Sequence, residues 1–199
     1  MNKYLLKVQN NKQFLNQDLL YKNASLSLVS VSTICSEAIK KNILAFKNIE
    51  ESGLNQFIYT EFLCFYIHLM VNTAELIGLT EFQKIKLRTY LEQTIASYAS
   101  GYFTEGETND RKEHFTERFI STLHEKEEEY KKYSDIQNAS IMPEVHFLSL
   151  FSKLAQNISS LLDKKEEKEN ILLFAYEVST KEWARMNPTE ILLNIKQNS

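Results

Sequence analysis

Two ionisable side chains inside an otherwise apolar, helix-length segment are the strongest chemical feature of this chain. The segment Phe57 to Val71, FIYTEFLCFYIHLMV, carries Glu61 and His68 seven residues apart. A carboxylate and an imidazole are groups used for general acid–base work and for holding metal ions. At about 100° per residue along a helix, Glu61, His68, Asn72 and Glu75 fall within roughly 60° of one another. Glu61 and His68 stand about 10 Å apart along the axis, too far for one small ligand atom to touch both. His68 and Asn72 are one turn apart and can meet. The competing reading is plainer: a mostly buried helix keeps one narrow solvent face, and four polar residues in line describe such a face. That reading is favoured here, because buried polar groups are costly unless fully satisfied.

Other candidates are weaker. Di-iron carboxylate bundles carry Glu-x-x-His on two helices, and no such spacing occurs in this chain; His114 and Glu117 have the same interval in reverse order. Glu117 and His124 repeat the seven-residue interval but lie opposite Phe115 and Leu123, so they are expected to face water. His146, beside Glu144, reads as a surface or capping residue. The run HEKEEEYKK from His124 reads as a solvated helix face laced with charge pairs. Cys35 and Cys64 read as core fillers, with a Cys64/His68 dyad conceivable at helical spacing. The chain has no glycine-rich phosphate loop, GxSxG, HExxH, CxxC or EF-hand loop. No catalytic residue, metal or cofactor is assigned, and the reading leans away from an enzyme.

The aromatic residues form the second candidate. Tyr59, Phe62, Phe65 and Tyr66 lie on the central segment, and Tyr98, Tyr102 and Phe103 on the next one. They describe either a bulky core or an apolar pocket between helices for a flat or acyl ligand.

The elements that would position these groups are helical. Only four Gly and two Pro occur in 199 residues, too few to punctuate a sheet protein. A central helix is expected from about residue 54 to 77, ended by Gly78 as a left-handed C-cap. Thr80 then caps a third helix with the stripe Leu87, Leu91, Ile95, Tyr98 and Tyr102. A fourth, from about 110 to 133, buries Phe115, Phe119, Leu123 and Tyr130. Pro143 opens a fifth, with Leu150, Phe151, Leu154 and Ile158 on one face. A sixth carries Ile171, Phe174, Ala175, Val178 and Trp183, and Asn187, Pro188 and Glu190 hold the cap, N1 and N3 positions of a short last helix. Residues 25 to 49 are read as a helix. The alternation of Leu26, Leu28 and Val31 with serines leaves a hairpin, 3–8 against 25–32, as the dissenting view.

The expected architecture is an all-α, single-domain bundle (residues 1–199) of about six antiparallel helices around the 54–77 helix, with 1–23 and 187–199 peripheral. A net charge of −3, with Lys and Glu interleaved, speaks against nucleic acid. The central segment is too short and too polar to span a membrane, and two apolar-context cysteines suit a reducing compartment. The expectation is a soluble, cytoplasmic, non-enzymatic protein-interaction or self-associating module. Leu5, Leu6, Ile191, Leu192 and Leu193 supply apolar surface in need of a cover. A small-molecule binder with an aromatic pocket is the alternative, and a metal enzyme built on Glu61 and His68 the more distant one.

Overall fold

The computed structural model describes residues 3–42, 52–106, 108–137, 143–161 and 168–198, with side chains for 17–42, 54–106, 108–132, 149–161 and 168–198. The described residues form seven α-helices and no strand: α1 Lys3–Asn42, α2 Ser52–Ile77, α3 Glu81–Phe103, α4 Asn109–Gln137, α5 Pro143–Ser160, α6 Lys168–Met186 and α7 Pro188–Asn198. The all-α bundle is thus the observed class. No helix among the described residues is long and apolar enough to cross a membrane.

The hairpin does not form, because residues 3–8 and 25–32 both lie within α1. Burial shows why helix prevails. Tyr21, Ala24, Leu28, Val31, Cys35 and Ile39 are buried at intervals of three and four, which is one helical face. The serines that suggested alternation are accommodated by bonding back to carbonyls four residues earlier. Ser25 donates to Tyr21 O (3.1 Å), Ser27 to Asn23 O (2.9 Å) and Ser30 to Leu26 O (3.0 Å). The expected continuation of this helix to residue 49 falls partly outside the described residues.

α2 is the axis of the bundle, in contact with α1, α3, α4, α5 and α7. Every residue from Glu61 to Met70 is buried, on all sides of the helix, which its apolar composition requires. α1 and α3 run parallel on one flank: Asp18 pairs with Lys86 at 2.8 Å, and Tyr21 stacks on Tyr90 one turn further along both.

The α2–α3 turn follows its local sequence. Gly78 adopts φ +74°, a conformation unfavourable for residues with a Cβ. Its N–H donates to Glu75 O, and that of Leu79 to Ala74 O, which together make a Schellman cap. Thr80 and Gln83 then form a reciprocal capping box at the start of α3. The Lys196 ammonium of α7 donates to Ile77 O at 2.6 Å, placing a cation on the negative end of α2. Between α6 and α7 the single residue Asn187, at φ +53°, both ends one helix and begins the next. Its side-chain amide donates to the Glu190 carboxylate at 2.7 Å.

On α3 the expected stripe holds only in part. Leu87, Leu91 and Ile95 are buried, but Tyr98 and Tyr102 are 54% and 59% exposed. Burial follows the i+4 row Gln83, Leu87, Leu91, Ile95, Ala99. That row drifts around the helix by about 40° per step, so the contact line rolls away from the two tyrosines.

Candidate functional site

The polar stripe of α2 points inward at its first half and outward at its end. Glu61 and His68 are both 6% exposed, Asn72 is half-buried and Glu75 lies in solvent, where it meets Lys84 at 3.8 Å. The stripe is therefore not a continuous solvent face. Its inner part is a polar network that sits between three helices.

Glu61 is the hub. Its Oε1 accepts hydrogen bonds from the Tyr130 hydroxyl of α4 (2.6 Å) and from the Asn157 amide of α5 (2.7 Å). Its Oε2 pairs with the Lys126 ammonium at 2.9 Å. From there the charges alternate outward: Lys126 reaches Glu129 at 3.0 Å, and Glu129 reaches Lys153 of α5 at 2.8 Å. Burial pushes the Tyr130 phenol well above its ordinary range, and the Glu61 charge and hydrogen bond push it further, so it stays a neutral donor. Burial alone would lower the Lys126 pKa, but the charge and hydrogen bond of Glu61, joined by Glu129, raise it overall. His68 is held one turn away. Its Nε2 lies 2.9 Å from Asn72 Nδ2, and its ring is tilted against that of Tyr130 at 5.6 Å.

Three members of this network, Lys126, Tyr130 and Asn157, are absent from the candidates read from sequence. One signal for them exists. Asn157 interrupts the apolar side of α5 three residues after Leu154, and Lys126 and Tyr130 lie one turn apart on α4. The HEKEEEYKK run is only partly a solvated face, because Lys126 turns to α2 and Glu127 to Arg88 of α3. His124 and Glu117 are exposed.

The salt-bridge chain gives a pH dependence. Burial raises the Glu129 pKa, but hydrogen bonds from Lys153 and Lys126 outweigh it and leave it below the ordinary value. Just below the ordinary glutamate pKa of about 4.3, the unfolded chain then binds more protons than the folded one. Stability from this group is present above that value and is lost as pH falls through the folded pKa. Urea midpoints measured across the acid range should fall less steeply in Glu129→Gln than in the wild type; parallel profiles would remove Glu129 from the account.

The aromatic residues divide between interior and surface. Phe62, Phe65 and Tyr66 are fully buried and Tyr59 nearly so. Phe65 meets Tyr130 and Phe151 edge-on at 5.3 and 5.0 Å, and Tyr66 lies parallel to Trp183 of α6 at 5.6 Å. The rings fill one another's space. Tyr102 stacks on Tyr59 from the outside at 6.0 Å, and Tyr98 is exposed. The Tyr66 hydroxyl donates to Ser179 O and contacts the Cys35 sulfur at 3.2 Å.

Burial pushes the Cys35 thiol up to about 12. It also raises that of Cys64, with the Glu61 charge acting in the same direction. Both sulfurs keep their protons at neutral pH, the wrong state for a nucleophile. Among the described residues no group of three His, Cys, Asp or Glu side chains could hold a metal ion. Comparison of the chain with protein-family models, with curated proteins and with solved structures finds no match.

Proposed function

We propose that this chain is a non-enzymatic, self-associating interaction module that docks through the corner where α2 turns into α3. One observation carries the reading: Leu76, Phe82 and Ile85, within ten residues of one another, are 64%, 73% and 65% exposed. Large apolar side chains grouped on a surface mark contact sites more often than isolated ones do. Charges of both signs stand among them, Glu75 and Glu81 with Lys84. A second copy related by a two-fold axis can therefore exchange these ion pairs while burying the apolar residues.

The inner polar stripe supports the same reading, since every oxygen of Glu61 is already engaged within the fold. At the C-terminal end the apolar residues divide between core and surface. Leu192 is buried by this chain's own helices and Leu193 is 39% exposed, while the side chains of Leu5 and Leu6 lie outside the described residues.

Sedimentation velocity over the micromolar range tests the proposal. The wild type should sediment as a dimer at high concentration. The double variant Phe82→Lys, Ile85→Lys should remain monomeric and, at dilutions where the wild type is also monomeric, melt at the same temperature, because both positions are on the surface. A wild type that is monomeric throughout overturns it.

A further inference from the structure

The first helix outruns the corner where α2 turns into α3. α1 and α3 lie side by side, with Asp18 level with Lys86 and Tyr21 level with Tyr90. Glu81, the first residue of α3, is therefore level with about residue 13 of α1. Because α1 begins at Lys3, its residues 3–12 extend about 15 Å past the start of α3. This arm carries charge of one sign. Residues 1–17 hold the lysines Lys3, Lys7 and Lys12 and no acidic residue. Counted at about 100° per residue from Tyr21, which stacks on α3, positions 14, 7 and 3 fall within about 40° on the same side of the helix. That side faces α3 at Tyr21 and runs on beyond the first turn of α3 at Lys7 and Lys3. The neighbouring corner has the opposite charge at its rim. The side chains of Glu75 and Glu81 are 63% and 81% exposed, whereas Lys84, which pairs with both, is 23% exposed.

We propose that the arm of one copy lies across the α2–α3 corner of a second copy, with Lys3 and Lys7 against the partner's Glu75 and the partner's Glu81. The inference rests on self-association through that corner and names the segment that meets it. A two-fold axis beside the corner makes the exchange reciprocal, so one arrangement seats both arms on both corners. Leu76, Phe82 and Ile85 are then covered by a helix, and the arm brings Leu5, Leu6 and Val8 to the same contact. Opposite charge on the two surfaces also fixes which end of the bundle meets which.

Charge reversal on either surface, followed by sedimentation velocity of the full chains, tests the pairing. Lys3→Glu with Lys7→Glu makes arm and corner alike in sign, and so does Glu75→Lys with Glu81→Lys. Each double variant alone should dimerise at least about tenfold more weakly than the wild type. An equimolar mixture of the two should form a heterodimer with close to wild-type affinity, because every arm then meets a corner of opposite charge. Circular dichroism establishes that each variant folds. A dimer unweakened by the arm reversal, or two weakened variants that fail to rescue each other, overturns the arm. The corner reading then still stands if Phe82→Lys, Ile85→Lys abolishes the dimer. A wild type that is monomeric throughout overturns both.

Discussion

Glu61→Ala should lose about 3–5 kcal/mol of stability in chemical denaturation, the range for breaking a buried, hydrogen-bonded charge pair from one side. The loss comes chiefly from what remains. The Tyr130 hydroxyl is fully buried and gives its hydrogen bond to Glu61, and Asn157 and Lys126 converge on the same carboxylate. Glu61→Gln keeps an acceptor for Tyr130 and Asn157 and should lose less, about 1–3 kcal/mol. A triple variant, Glu61→Leu with Tyr130→Phe and Asn157→Leu, should recover much of the deficit, since apolar replacement of a whole buried network is often close to neutral. Lys126 is partly exposed and can turn to water.

The sign of this result separates two roles for the same residue. A carboxylate kept in the interior to act on a ligand is held against the stability of the fold, and its removal tends to stabilise. A carboxylate kept as a tie between helices does the reverse. Glu61 joins α2 to both α4 and α5, and the chain of charges through Lys126, Glu129 and Lys153 fixes how those two helices lie against each other. A neutral or stabilising Glu61→Ala would contradict the structural role and return attention to chemistry at this position.

The difference between what could and could not be read from the residues follows from range. The Schellman cap at Gly78 and the capping box from Thr80 to Gln83 are legible because every partner lies within a few positions. The face of α1 is legible from its three-and-four spacing, once serine is allowed to bond within a helix. Glu61 is different. A helical wheel places it in line with His68 and Asn72, but its partners are 69 and 96 residues further along the chain. Periodicity says which residues share a face of one helix and nothing of which helix meets that face. The tyrosines of α3 failed for a related reason, since a small drift per turn, set by the crossing of neighbouring helices, decides whether Tyr98 and Tyr102 are covered.

Phe65→Ala should lower stability by about 3–5 kcal/mol, with a fall in melting temperature on the order of 10 °C. The ring is fully buried and meets those of Tyr66, Tyr130 and Phe151 at 5.5, 5.3 and 5.0 Å, so truncation opens a void that three aromatic neighbours cannot all close. An apolar void of that kind stays dry and takes up benzene. Added benzene should therefore raise the melting temperature of Phe65→Ala by mass action and leave that of the wild type unchanged. Tyr102→Ala is the control. Its ring is 59% exposed, and its loss should cost under about 1 kcal/mol with no response to benzene. Were the wild type itself stabilised by benzene, and Phe65→Ala nearly neutral, the aromatic layer would be a pocket with room for a ligand. A large loss that benzene partly restores would mean that the layer is filled by its own side chains and serves to hold α2 in place.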